Sequence, residues 1–274
     1  MKKIRDYFIF YVRLILKKFL NSKPWANELK FYDFVFSKGN KNLEYISNKL
    51  RIVFHPSQEI GKFFIDTTLV KTNLCDLGRK FQTDKSPYNT ILHRHPYTGI
   101  YDLLFSSLRD KKINFAEIGI LNNASIQMWR EYFKNAQIVG FEFDDDLIKN
   151  AKKTKLKKVI YKKIDVTKKK SIHQCFNSLK TKFDIIIDDS THTFQDQINV
   201  IQETYKFLVC GGILIIEDIP RNKKEYNEQR YHKYLKNYYR YFSFINFIDC
   251  DHIGKFSKGW NNDKMLVLVR NDIK

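Results

Sequence analysis

Ile113-Asn114-Phe115-Ala116-Glu117-Ile118-Gly119-Ile120-Leu121-Asn122-Asn123-Ala124-Ser125 is the stretch on which the reading of this chain turns. The apolar run Ile113 to Ile120 reads as a buried strand, and Ser125 to Phe133 as the helix that follows it. Gly119 lets backbone approach a ligand closely, and the free amides of the helix start can hold an anion or carboxylate. One glycine after a strand is also an ordinary βα turn, so the stretch alone establishes a βα unit.

Working outward, the same texture repeats. Gln137 to Phe143, Val159 to Val166, Phe183 to Asp189 and, after Gly211-Gly212, Ile213 to Ile219 are short apolar runs separated by amphipathic stretches. Near-continuous Ile/Val/Phe runs are what parallel strands buried on both faces look like. Phe242 to Asp249 and Lys264 to Arg270 follow with no long helix between them, which predicts an antiparallel hairpin closing a mostly parallel sheet. The fold class is therefore α/β, a Rossmann-like, mostly parallel seven-stranded sheet with helices on both faces. Residues 1–75 lack clear βα alternation and are read as an N-terminal helical accessory region, with the α/β domain over 76–274.

Ligands of open α/β sheets bind beyond the carboxyl ends of the strands, so acids at those ends are informative. Glu142 ends the second strand, where nucleotide-binding folds place an acid on the ribose hydroxyls. Asp165 ends the third, near where an adenine amino group would lie. Each acid is also a common helix N-cap or first-turn residue. A denser group is Asp188-Asp189-Ser190-Thr191-His192 after the fourth strand with Glu217-Asp218 after the fifth. Neighbouring strands lie ~4.8 Å apart, so Asp189, Glu217 and Asp218 can share one cation. Hard oxygen donors without a thiolate favour Mg²⁺ or a similar divalent ion. His192 is the candidate catalytic base, since imidazole titrates near neutrality and a metal-bound hydroxyl is already acidified. The competing reading makes His192 a cap of the next helix.

At these residues the sequence resembles the class I S-adenosylmethionine (SAM)-dependent methyltransferases, and more narrowly the metal-dependent sugar O-methyltransferases of the mycinamicin, macrocin and rhamnosyl type. Thr83-Asp84-Lys85, His95, Tyr97 and Tyr101 match one family stretch, and Glu117, Gly119, Ser125, Trp129 and Phe133 match another. Asn123 stands where the family usually has glycine, and Ser190 replaces a small residue before the Thr191-His192 pair. Asn tolerates a left-handed backbone better than other side-chain-bearing residues. The resemblance implies SAM contacts from Thr83, Lys85, Glu117, Gly119, Asn123, Ser125, Glu142, Asp165 and Asp189. It also implies metal ligation by Asp189, Glu217 and Asp218, with His192 as base, and a glycan or small-molecule acceptor.

Lys and Arg exceed Asp and Glu by 49 to 30, a formal charge of +19. The excess is spread in short lysine runs that read as solvated faces. A nucleic-acid methyltransferase is the first rival, but Asp218-Ile219-Pro220 lacks the Pro-Pro-aromatic motif of base N-methyltransferases and no RNA-binding module is evident, so nucleic acid is not the expected partner. A non-catalytic membrane-associated scaffold of the same fold is the second rival. Residues 7–20 are apolar and interrupted by Arg13, Lys17 and Lys18, too short and charged to span a bilayer. They suit either peripheral membrane contact or docking on the domain or on another copy in a homo-oligomer. Cys75, Cys175, Cys210 and Cys250 form no C-x-x-C pair, which argues against zinc or redox motifs and fits a cytoplasmic protein.

Overall fold

Short apolar runs bounded by turn residues become strands here because both faces of each run find a hydrophobic layer. The computed structural model describes residues 51–55, 60–91, 93–257 and 259–271; residues 7–20 lie outside them. The strands are β1 Arg51–His55, β2 Gly61–Asp66, β3 Asn114–Ile118, β4 Gln137–Glu142, β5 Val159–Lys163, β6 Phe183–Asp188, β7 Leu208–Ile216, β8 Phe242–Asp251 and β9 Lys264–Arg270. The helices are α1 Asn73–Phe81, α2 Tyr97–Phe105, α3 Ala124–Tyr132, α4 Asp145–Lys153, α5 Lys169–Asn177, α6 Phe194–Thr204 and α7 Glu228–Leu235. Among the described residues no helix is long and apolar enough to cross a membrane.

The strands form one sheet in the order β1-β2-β8-β9-β7-β6-β3-β4-β5. β3 pairs in parallel with both β4 and β6, and β6 in parallel with β7. The chain thus leaves β3 toward β5 on one side and returns to β6 on the other, and the reversal opens a crevice at the carboxyl ends of β3 and β6. The expected terminal hairpin is present: β9 is antiparallel to β8 and also inserts beside β7, to which it is antiparallel too.

Among the described residues the sheet has nine strands where seven are expected from the sequence. The two extra strands come from the N-terminal accessory region: β2 pairs in parallel with β8, and β1 pairs with β2. The described part of that region before α1 is therefore strand, not helix. Gly61-Lys62-Phe63-Phe64-Ile65-Asp66 alternates buried and half-buried positions, a period-two pattern that a sheet edge accepts. Gly211-Gly212 does not break β7 as its sequence suggests. The strand runs through the pair with a register shift opposite Phe183 and Ile185, which the positive φ of Gly211 permits.

Alternate residues feed two cores. Phe115, Ile185, Ile187, Ile213 and Ile215 face α1, α2 and α3; Ala116, Ile118, Ile186, Leu214 and Ile216 face α5, α6 and α7. Trp129 of α3 is fully buried among Tyr101, Phe105, Phe115 and Phe133. This cluster locks α2 and α3 against β3, and it explains why Tyr101 can reach the strand ends at a fixed height.

Candidate active site

The turn after β3 is held open by backbone geometry. Gly119 has φ +88°, and a Cβ there would fall 2.1 Å from the Asp189 carbonyl oxygen. Only glycine permits that approach, and the Asp189 amide in turn donates to Ile118 O at 2.8 Å. Asn123 has φ 67° and ψ 13°, the left-handed conformation that suits asparagine where a glycine is otherwise usual. Its side chain is turned inward, with Nδ2 toward Thr154 Oγ1 at 3.3 Å and Oδ1 accepting from Tyr161 at 3.0 Å.

Lys85 is the hub beneath this turn. It follows α1, whose C-cap Gln82 is left-handed, and the Lys85 carbonyl accepts the first amides of α2 from Tyr97 and Thr98, both at 3.1 Å. Its side chain, 1% exposed, points into a carboxylate cage: Nζ is 2.5 Å from Asp189 Oδ2, 2.6 Å from Glu217 Oε2 and 3.3 Å from Glu117 Oε1. The ammonium is therefore shared by three internal acids. Three buried carboxylates around one cation cannot all ionise freely. Burial lifts Glu117 to about 7 against the pull of Lys85 and Ser125, and lifts Glu217 well above the usual carboxylate range. The same carboxylates hold Lys85 well above its ordinary value despite its burial.

Tyr97 and Tyr101 lie one helical turn apart on α2, so both hydroxyls project from one face. Tyr97 donates to Asp218 Oδ1 at 2.7 Å, and Tyr101 donates to Glu217 Oε1. Glu217 is 1% exposed and has both oxygens engaged, by Lys85 and by Tyr101. Glu217, expected beside Asp189 and Asp218 as a cation ligand, is thus held by Lys85 and Tyr101 here, while Asp218 is the neighbour that groups with Asp189 and His192.

Asp218 is the member that opens, and its φ of 55° turns it from the strand path. Burial alone would raise its carboxyl, but His95, His192 and the Tyr97 hydroxyl outweigh that and hold it below the usual range. Asn262 Nδ2 donates to Oδ2 at 2.8 Å. His192 Nε2 stands 3.9 Å from Asp218 Oδ2 and 4.0 Å from Asp189 Oδ1. One ligand atom each from Asp189, His192 and Asp218 falls within 4.8 Å of the others. His192 does not cap α6. Thr193 does, accepting from the Asp196 amide, while Asp196 in turn accepts from the Thr191 and Thr193 hydroxyls at 2.6 and 2.7 Å. The turn is locked on both sides of His192, which itself has φ 58°.

The remaining candidates divide. Ser125 is buried at the start of α3 and contributes to the Glu117 environment. Thr83 is buried beside Asp84, with its hydroxyl 3.5 Å from Asp84 Oδ1. Glu142 reaches the β3 turn, where Oε2 accepts from Ile120 and Leu121 amides at 3.1 and 3.2 Å and Oε1 from Phe143 at 2.7 Å. Asp165 lies past the end of β5 and acts locally: it accepts from Thr167 and pairs with Lys168 at 2.7 Å. Sequence reasoning did not single out Asn262 or Asp196, whose positions near a strand start and inside an ordinary helix carry no motif.

Residues 122–253 match the family model described as "Methyltransferase domain". An 8-demethyl-8-alpha-L-rhamnosyl tetracenomycin-C 2'-O-methyltransferase from Streptomyces olivaceus is 23% identical over 132 residues, 46% of this chain and 33% of that protein. Demethylmacrocin O-methyltransferase from Streptomyces fradiae is 25% identical over 162 residues, 56% of this chain and 38% of that protein. The matches thus span little more than a third of those relatives' own length. The structure of MycE methyltransferase from the mycinamycin biosynthetic pathway, solved with Mg and SAH, superposes with a TM-score of 0.54 at 16% identity, over 74% of this chain and 54% of that one. The chain has the class I SAM-dependent methyltransferase fold and resembles the sugar O-methyltransferases of the tetracenomycin, macrocin and mycinamicin type.

Proposed function

We propose that this chain is a SAM-dependent O-methyltransferase acting on a sugar hydroxyl of a glycan, glycolipid or glycosylated metabolite, with a divalent cation beside the reacting oxygen. The observation that carries the reading is the meeting of Asp189, His192 and Asp218 beyond the carboxyl ends of β6 and β7, beside the turn after β3. Asp189 and Asp218 fit a hard cation, each offering a carboxylate oxygen toward the crevice, and His192 offers either a ligand or a base. A bound cation would lower the pKa of a hydroxyl it touches, and SAM would supply the methyl group.

The chain's own residues account for the rest. His192 Nε2 accepts the hydroxyl proton, flanked by two carboxylates that stabilise the imidazolium formed. Tyr97, Asn262 and His95 keep Asp218 ionised and oriented. Glu117 is 0% exposed, and its counterion Lys85, 3.3 Å away, shares its charge with two other acids that lie closer. Such an underpaired acid suits a cationic ligand group, and SAM carries an ammonium and a sulfonium. Gly119 lets that ligand lie against backbone.

The test is transfer of labelled methyl from SAM to a panel of rhamnosides and other glycosides, with EDTA and then with Mg²⁺ restored. Activity abolished by chelation and recovered with Mg²⁺ supports the reading; full turnover in EDTA removes the cation from it. No SAM binding by calorimetry removes the enzyme.

A further inference from the structure

A second group of donors lies on the other side of Asp218, and only His95 among them has a part in the reading above, as a neighbour that orients Asp218. We propose that Asp84, His93 and His95 form a separate site for a borderline divalent cation of the Zn²⁺ type. One ligand atom from each of the three lies within 4.8 Å of the others.

The imidazoles are arranged as ligands rather than as packing. His95 Nδ1 is 2.8 Å from Asp263 Oδ1, and its Nε2 is 2.7 Å from His93 Nε2. An ionised carboxylate only accepts, so Nδ1 carries a hydrogen and Nε2 is the nitrogen turned toward His93. Two ring nitrogens at that distance share one hydrogen, and a cation that displaces it can take both nitrogens as ligands. A carboxylate on the far nitrogen is the outer support that fixes tautomer and orientation in histidine metal sites.

The backbone is prepared as well. The His95 amide donates to Asp84 O at 2.6 Å, and Arg94 bridges to Phe256 through both its amide and its carbonyl. The His95 ring stacks on Tyr97 at 4.8 Å with planes 6° apart. His93 and Asp84 remain half-buried, so a cation has a route in, beside the exposed Trp260 whose ring meets His93 edge-on at 6.3 Å.

Two nitrogens and one oxygen are the donor set of borderline cations, whereas Mg²⁺ prefers oxygen alone. The donor chemistry therefore separates this site from the carboxylate-rich one at Asp189. The two clusters adjoin, because His95 Nε2 is also 3.4 Å from Asp218 Oδ2.

The experiment is titration of the chelator-stripped, dialysed full chain with Co²⁺, read by visible d–d absorption, and with Zn²⁺, read by calorimetry. The expected result is one equivalent giving the bands of low-coordinate, nitrogen-ligated cobalt, displaced by Zn²⁺. His93→Gln and Asp84→Asn should each weaken binding at least tenfold, while Asp189→Asn keeps the spectrum. Asp263→Asn should weaken it by ~10–100-fold, as loss of an outer-shell partner does. Thermal unfolding of the metal-free variants verifies that they fold. No such band in the wild type, or a band kept by His93→Gln, overturns the site and leaves a proton-bridged histidine pair. A band lost on Asp189→Asn but kept in Asp84→Asn assigns the cation to the other cluster. None of these readouts depends on methyl transfer, so failure of the enzymatic reading leaves them intact.

Discussion

Replacing Lys85 by methionine keeps the side-chain length and removes one charge from a cage of three acids. Lys85 Nζ lies within 3.3 Å of Glu117, Asp189 and Glu217 carboxylates, and the lysine is 1% exposed. Removing one partner of a buried ion group costs ~3–5 kcal/mol, because the charges left behind lose their counterion without regaining water. Against a typical domain stability of ~5–15 kcal/mol, that is a large share. The assay is urea unfolding followed by circular dichroism at pH 5 and pH 8. Burial already raises Glu117 to about 7 and Glu217 well above its ordinary value, so both contribute stability that is present at low pH and lost as pH rises through the folded value. Without the ammonium both values climb further. Lys85→Met should therefore stand closer to wild type at pH 5 than at pH 8, and adding Glu217→Gln should recover part of the loss at pH 8. A destabilisation below ~1 kcal/mol at pH 8, or one independent of pH, would show that the cage is not charged as described.

Gly119→Ala should destabilise the fold by at least ~2 kcal/mol, measured by the same unfolding assay, since its Cβ would collide with the Asp189 carbonyl and its φ of +88° is unfavourable for alanine. If SAM binding needs ionised Glu117, affinity should rise about fivefold from pH 6 to pH 7, below the titration of an α-amino group, because the competent fraction grows from about one in eleven to one half. Calorimetry reads it, and a flat profile, or the same profile in Glu117→Gln, would exclude the link. His192→Ala should lower methyl transfer by ~10²–10⁴-fold while leaving the SAM dissociation constant unchanged; unaltered turnover would disqualify it as base. Asp218→Asn should mimic chelation, with turnover lost and not restored by the Mg²⁺ that restores wild type, and a metal titration identical to wild type would contradict its place as a ligand.

The strand and helix pattern from Ile113 onward was legible because burial on both faces of the sheet demands near-continuous apolar runs, and each such run became a strand within a few residues of its expected ends. The terminal hairpin was equally legible, since too few residues separate β8 from β9 for a crossover helix. β2 was not: Lys62 and Asp66 bracket an apolar run too short to declare a strand until β8 provides an edge to pair with.

For the site, chain order alone brought Asp189, His192 and Asp218 to adjacent strand ends, as sheet spacing requires. What only the tertiary structure decided is where each side chain turns. Glu217 and Asp218 are neighbours in sequence, yet Lys85 and Tyr101 draw the first into the core, while a left-handed backbone at the second turns it toward the crevice. Lys85 is shared among three internal acids, and Asp165 caps a local turn. Motifs name residues by position along one chain, but a carboxylate's partner is set by charges arriving from remote segments, here as far apart as Lys85 and Glu217. Desolvation makes that pairing obligatory, and no local pattern encodes it.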